Sequence, residues 1–219
     1  MIPSPELRHR VLAAIEREPA PSRARATTRT AIAFALGFAP IVLFVGILGV
    51  GAGGRPPGYV AMVAGGWVLL AAAATWGALG RGTSMLGRPR SWLLAVALLL
   101  PVALLGVALA GYVPWPSAME IDCAPFGHFI CFDLSSAMSI GPLVAFAVAR
   151  RGTDPIHPAL TGAALGGASG SWGAVALALH CPVSSVAHVA LGHVLPVVFF
   201  ATLGAVIGAR VVAVRAQTK

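Results

Sequence analysis

Charged residues are scarce in this sequence, and their scarcity excludes most classes of soluble protein. Only 10% of the 219 residues are Asp, Glu, Lys or Arg, whereas 58% are hydrophobic. A soluble globule of this length needs many more polar side chains to cover its surface, and a disordered chain is more polar still. The composition therefore excludes both classes and predicts a membrane protein.

Charge is also missing from the interiors of the long apolar runs, where no Lys, Arg or Glu lies deep. Ion-coupled transporters use such residues as relays across the bilayer. A transporter is therefore the weakest of the function classes that suit a membrane protein of this composition.

Cysteine is the third scarce residue type, with three residues and no Cys-x-x-Cys spacing. Without that spacing the sequence has no recognised zinc signature. Three is an odd number, so at least one thiol is unpaired within a monomer.

Six long apolar runs make up most of the chain, at residues 31–50, 60–79, 92–112, 132–149, 159–180 and 188–209. Each is close to the roughly 17 to 25 residues that a helix needs to cross a bilayer. The predicted fold is an all-α membrane protein with six transmembrane helices. Residues 1–30 lack the short apolar run of a cleavable signal peptide, so the first helix is expected to act as its own insertion signal.

Proline and glycine predict where these helices bend and pack. Four prolines lie inside predicted helices and should kink them: Pro40, Pro101, Pro142 and Pro196. Gly162, Gly166 and Gly170 form a face of small residues in the fifth helix. Such a face allows a neighbouring helix to approach closely.

Basic residues are divided very unequally between the gaps. Fourteen of the 15 lie in the N-terminal segment and in gaps 80–91, 150–158 and 210–219, whereas Arg55 alone lies in the opposite set. Basic residues in short loops stay on the cytoplasmic side, which predicts that both termini are cytoplasmic. A basic inner face beside anionic lipid is ordinary for a membrane protein, so direct binding to nucleic acid is not expected.

The N-terminal segment is predicted to be a cytoplasmic arm, residues 1–30, ahead of the membrane domain 31–209 and a tail 210–219. Its start favours a short helix that ends before Pro19, and residues 20–26 are small, basic and suited to a flexible tether. An apolar stripe on this helix comprises Leu7, Val11, Leu12 and Ile15. The stripe needs a partner, or else the helix lies on the inner leaflet.

Every cysteine and most histidines fall on the predicted outer side, and they are the candidates for chemistry. Thiolate and imidazole together suit Zn²⁺ and other soft or borderline metals, and two thiols can form a disulfide. The candidate metal ligands are His128, Cys131, His180, Cys181 and His188. In the alternative interpretation the imidazoles satisfy backbone groups and the thiols pack as small apolar side chains.

One short motif matches a sequence found in intramembrane proteases. Residues 167–170 read Gly-Ala-Ser-Gly, which matches the Gly-x-Ser-Gly of six-helix rhomboid proteases, and His188 or His193 would supply the histidine. By helical rise, however, Ser169 and His193 differ in depth by about 9 Å. The second predicted helix also lacks the matching His and Asn pair, so no catalytic residue is assigned.

The run Ala-Leu-His-Cys-Pro at 178–182, followed by a last helix with Gly192, Pro196 and Gly204, resembles the C-terminal signature of NrsF-type bacterial membrane anti-sigma factors. The N-terminal stretch from Ser4 to residue 21 resembles the cytoplasmic segment of bacterial anti-sigma factors. Within the type, the resemblance is to regulators of carotenoid synthesis. The zinc-binding His-x-x-x-Cys-x-x-Cys domain of the commoner soluble class is absent from the sequence.

The resemblance implies a multi-pass protein of the bacterial inner membrane that sequesters an extracytoplasmic-function sigma factor until light, an oxidant or a metal releases it. Its partners would be that sigma factor, held by the arm, and membrane lipid. It implies that Cys131 and Cys181 are the sensing thiols. A metal ion is the candidate cofactor. The alternative function is a membrane metal- or redox-dependent enzyme that uses the same outer histidines and cysteines.

Overall fold

The computed structural model describes residues 6, 23–51, 54–80, 88–121, 126–151 and 156–212. Within these residues six long helices are present, and each is long and apolar enough to cross a membrane. They are α1 (Arg23–Leu48), α2 (Pro57–Leu79), α3 (Arg90–Tyr112), α4 (Gly127–Ala149), α5 (Pro158–His180) and α6 (Val186–Val211). The predicted six-helix, all-α fold is confirmed. A short 3-10 helix, Pro116–Glu120, follows α3.

Most helix ends lie within three residues of the ends of the apolar runs. Helix α4 begins at Gly127, five residues before its run, and the largest difference is at the start of α1. This helix begins at Arg23, so the predicted tether is wrong for residues 23–26. Alanine and arginine are strong helix formers, and they extend the helix beyond its apolar segment. The stripe Leu7, Val11, Leu12 and Ile15, Cys123 and residues 213–219 lie outside the described residues.

Helix α5 is the centre of the bundle. Within its most apolar segment 89% of the residues are buried, against 11% in α1, and α5 contacts each of the other five helices. The predicted small-residue face is confirmed as the contact with α6. A Cβ atom on Gly162 would collide with the carbonyl of Gly204, and one on Gly166 with the carbonyl of Phe200. Only glycine allows two helices to approach this closely.

Helix α1 packs along one side against α4 and α5. Gly37 of α1 and Gly141 of α4 face each other so closely that a Cβ on either would collide with the carbonyl of the other. Phe38 lies 6.0 Å from Phe146 of α4 and 5.3 Å from Trp172 of α5, measured between ring centroids. The crossing of α1 with α4 is therefore tight at its middle, although most of α1 is exposed.

Candidate functional site

Four buried side chains meet at one end of the bundle: Cys131, Cys181, His188 and His193, hereafter the thiol–imidazole cluster. One ligand atom from each lies within 4.8 Å of the others. The two sulfurs are 3.5 Å apart, and the Cys181 sulfur is 3.3 Å from Nε2 of His188. The cysteines are at most 9% exposed and the histidines 2%. The end of the bundle that holds the cluster is called the thiol end, and the opposite end, where α1 begins, the arm end.

Three helices supply the cluster. Cys131 lies just over one turn into α4, and Cys181 follows the last residue of α5, where its N–H donates to the carbonyl of Leu177 at 2.8 Å. Both histidines come from the first turns of α6. Because α4 and α6 begin at the end where α5 finishes, their residues converge at the thiol end.

A π-helical segment, Val189–Val194, brings the two histidines of α6 together. In an α-helix of 3.6 residues per turn, residues five apart point about 140° away from each other. A π-helix bonds residue i to residue i+5 and so places them on one face. His188 and His193 are five apart, and their ring centroids lie 5.1 Å from each other.

Gly192 gives α6 the room to reach α4 within this segment. A Cβ atom there would lie 3.1 Å from the Cβ of Cys131, 3.2 Å from the carbonyl oxygen of His128 and 3.6 Å from Nε2 of His188. The first two separations are shorter than ordinary van der Waals contact. A glycine at this position therefore lets the imidazoles come within reach of Cys131.

The segment between α5 and α6 is held by backbone hydrogen bonds. The N–H groups of Ser184 and Ser185 donate to the carbonyl of Ile121 at 3.3 and 3.1 Å. The Tyr112 hydroxyl donates to the carbonyl of Ser184, and the Tyr112 ring stacks on Tyr59 at 5.4 Å. These contacts fix the chain that connects Cys181 to His188.

The surroundings of Cys181 favour its thiolate form. The hydrogen bond from Cys131 lowers the pKa of the Cys181 thiol, hydrogen bonds with His188 and His193 act in the same direction, and burial opposes them. The thiolate is the form of cysteine that attacks oxidants and binds metals. The sulfur–sulfur separation exceeds the roughly 2.0 Å of a disulfide bond, so the two sulfurs are adjacent but not bonded.

The separations suit a tetrahedral metal ion. Zinc bonds of about 2.3 Å to sulfur and 2.0 Å to nitrogen place two sulfurs about 3.8 Å apart and a sulfur and a nitrogen about 3.5 Å apart. The observed 3.5 and 3.3 Å are within a few tenths of an ångström of these values. Two of the six separations among the ligand atoms therefore match a tetrahedral site, and the other four are no longer than 4.8 Å. The two thiols and two imidazoles are ligands that suit a soft or borderline divalent cation.

Two of the predicted metal ligands lie elsewhere. His180 is directed towards α1, with its Nδ1 3.3 Å from the carbonyl oxygen of Gly49 and its ring 5.1 Å from that of Phe44. His128 lies against Phe129 and lines an apolar cavity of about 310 Å³. The structure thus brings together Cys131, Cys181 and His188 and adds His193. The sequence does show that His193 follows His188 by five residues. This spacing predicts that the two lie together only if the helix is known to be π at that point.

The protease-like motif has a structural explanation. Ser169 is fully buried and donates its hydroxyl to the carbonyl of Ser139 in α4 at 2.5 Å. Gly170 lies against the backbone of Val197 in α6. The motif therefore serves the packing of α5 between α4 and α6.

The fold and the cluster together define a polytopic membrane protein with a closed thiol and imidazole site at one end of its helix bundle. Residues 13–213 match the NrsF family, described as negative regulator of sigma F. The chain therefore belongs to this family of negative regulators, and a sigma factor is the partner that the family description implies. Comparison with curated proteins and with solved structures gave no match.

Proposed function

We propose that this protein is an anti-sigma factor of the bacterial inner membrane that holds an extracytoplasmic-function sigma factor and releases it when its thiol–imidazole cluster is oxidised or captures a metal. Family membership supports the regulatory class, and six membrane-crossing helices support the location. The observation that carries the sensing role is the convergence of four ligand atoms within 4.8 Å from three helices.

The sigma factor binds the arm in this proposal. The predicted apolar stripe of Leu7, Val11, Leu12 and Ile15 precedes α1 in the sequence, and α1 begins at Arg23. An apolar stripe on a solvated arm gains free energy by entering a groove on a partner protein. The arm enters the bundle at the end opposite to the cluster, so signalling has to pass along the helices.

Oxidation and metal capture each change the cluster by a defined reaction. A two-electron oxidant such as a peroxide accepts the electrons of the two thiols as the Cys131–Cys181 disulfide forms, with loss of two protons. A divalent cation binds both sulfurs as thiolates, and any proton that they carry is released. If light is the stimulus, it would act by producing such an oxidant. The narrower hypothesis is that the released sigma factor controls carotenoid synthesis.

Either reaction changes how three helices meet. Disulfide formation shortens the sulfur separation from 3.5 Å to about 2.0 Å, which draws α4 towards the end of α5. A metal ion would also fix His188 and His193 of α6 relative to the sulfurs. Packed helices shift between discrete arrangements and do not absorb such changes locally.

The closed form of the cluster favours a sensor over an enzyme. Catalytic zinc sites keep one position open for water or substrate, whereas structural sites use four protein ligands. Here four side chains are available and the imidazoles are 2% exposed. A metal- or redox-dependent enzyme is the second candidate, and it would need the cluster to open.

A reporter for sigma-dependent transcription tests the proposal in cells. Cys131→Ser, Cys181→Ser and the double variant are compared with wild type before and after a peroxide or cadmium ion, with Cys123→Ser as the matched control. We expect loss of induction in the first three and normal induction in the control. Normal induction in the double variant would show that the signal enters elsewhere.

A further inference from the structure

Arg55 is the one basic residue in the gaps that are predicted to face the outer side. The proposed function does not use it. It follows the turn after α1, at the thiol end, and is 5% exposed. One guanidinium nitrogen donates to the carbonyl oxygen of Ala178 at 3.1 Å, and the other donates to that of Gly51 at 2.8 Å. A charge is buried only at considerable cost unless it is well bonded, so these two contacts define its position.

The first contact ties Arg55 to the helix end that carries a sensing thiol. Ala178 lies in the last turn of α5, three residues before Cys181. Carbonyl groups at a helix C-terminus carry partial negative charge, which suits a cation. Any displacement of Cys181 that bends this last turn also moves the carbonyl to which Arg55 is bonded.

The second contact ties Arg55 to the end of α1. Gly51 lies so close to α5 that a Cβ atom there would collide with the carbonyl of His180. His180 in turn contacts Gly49 and the ring of Phe44. The end of α1 is thus fastened to the end of α5 by Arg55, Gly51 and His180.

Helix α1 is suited to carry movement to the arm. Only 11% of the residues in its apolar segment are buried, and it crosses α4 closely at Gly37 and Gly141. Gly37 lies 11 residues from Leu48 and 14 residues from Arg23, distances of about 16 Å and 21 Å along the helix. Rotation about this crossing would move the two ends of α1 in opposite directions by similar amounts.

We propose that Arg55 is a clamp that couples the thiol–imidazole cluster to α1 and, through α1, to the N-terminal arm. This inference rests on the proposed function and adds its transmission step. With the clamp closed, α1 is held against α5 and the arm retains the sigma factor. Disulfide formation or metal capture displaces Cys181, the last turn of α5 follows, and Arg55 loses its hydrogen bond to the carbonyl of Ala178. The end of α1 then separates from α5, and the arm moves.

The test compares wild type, Arg55→Lys and Arg55→Gln as full-length proteins in lipid nanodiscs, with cadmium ion as the probe. Hydrogen exchange of residues 44–51 reports the end of α1, and exchange of residues 165–177 reports the body of α5. In wild type, cadmium should speed exchange in 44–51 and leave 165–177 protected. Arg55→Gln should show the faster exchange before cadmium is added, and Arg55→Lys, which keeps the charge without the fork of donors, should lie between them.

Binding of the sigma factor that co-purifies with wild type gives the second measurement. Arg55→Gln should bind it roughly ten- to hundredfold more weakly without cadmium, as expected for the loss of charged hydrogen bonds in a buried site, and cadmium should add nothing. Bound cadmium per protein should equal that of wild type, a result that a misfolded cluster would not give.

Gly51→Ala keeps the arginine and the cluster and forces α1 from α5 by a single methyl group. It should speed exchange in 44–51 as Arg55→Gln does. Gly46→Ala is the matched control, because a Cβ there has no contact within 4 Å. Alanine favours the helix more than glycine does, so this variant should not speed exchange in 44–51. Wild-type exchange and wild-type cadmium response in both Arg55→Gln and Gly51→Ala would overturn the clamp. A wild type that retains no sigma factor would contradict the proposed function, and the exchange comparison would still decide the clamp.

Discussion

Replacing Gly192 by alanine should weaken metal binding at the thiol–imidazole cluster without unfolding the bundle. The new Cβ would lie 3.1 Å from the Cβ of Cys131 and 3.2 Å from the carbonyl oxygen of His128. Helix α6 must then move away from α4 by a few tenths of an ångström, which draws the imidazoles of α6 away from Cys131.

The substitution changes both the stability of the bundle and its affinity for metal, and two opposing effects act on the stability. Overpacking of this kind costs about 1 to 3 kcal/mol, and replacing a helical glycine by alanine returns about 1 kcal/mol. Stability therefore falls by about 2 kcal/mol at most. Changes that disturb the orientation of metal ligands weaken binding by about ten- to hundredfold, so the loss of affinity should be measurable in a protein that is still folded.

Competition of the purified protein with a chelator for cadmium measures this affinity. Gly46→Ala is the matched control, since its methyl group meets nothing within 4 Å, and it should leave the affinity unchanged. Wild-type affinity in Gly192→Ala would refute the reasoning, because it would mean that Cys131 and the histidines of α6 do not bind one ion together.

His188→Gln and His193→Gln should each lower cadmium affinity in the same competition assay. His180→Gln should not, because the ring of His180 is directed to Gly49. Equal effects of all three substitutions would contradict the assignment of ligands. Replacing Leu7, Val11 and Ile15 together by Asp should weaken binding of the sigma factor by more than about a hundredfold, because burial of each apolar side chain contributes about 1.5 to 3 kcal/mol. Unchanged co-purification would exclude the stripe as the binding surface. Reporter fusions after Lys219 and in gaps 80–91 and 150–158 should report cytoplasm, and fusions within 114–130 the other side; an outward C-terminus would reverse the predicted orientation.

The helices could be predicted from the sequence because each is set by the length of its own apolar run. The face of small residues, Gly162, Gly166 and Gly170, could also be predicted, because it depends only on spacing within one helix. In the structure α6 packs against it. The start of α1 was missed because the small, basic residues 23–26 suit both a tether and a helix. Their helix propensity takes effect because they extend a helix that the neighbouring apolar segment has already formed, and extending a helix is easier than starting one.

The site was only partly predictable because it depends on how helices meet. Cys131, Cys181 and His188 were predicted as a group from their side of the membrane, but so were His128 and His180, which point elsewhere. The place of His193 depends on a π-helical turn that periodicity of 3.6 residues does not reveal. Arg55 showed only as an exception to the charge pattern, and its burial depends on the carbonyl group of Ala178 in the distant helix α5 as well as on that of the nearby Gly51.

Release of the sigma factor by the cluster is tested most directly on the purified complex of the two proteins. Cadmium ion is titrated into the complex while bound metal and free sigma factor are measured in the same samples, for wild type and for the Cys131→Ser, Cys181→Ser double variant. We expect release to be complete when one cadmium ion is bound per wild-type chain, and the double variant to retain its sigma factor over the same range. Equal release from both proteins, or binding of one cadmium ion without release, would contradict a sensing role for the cluster.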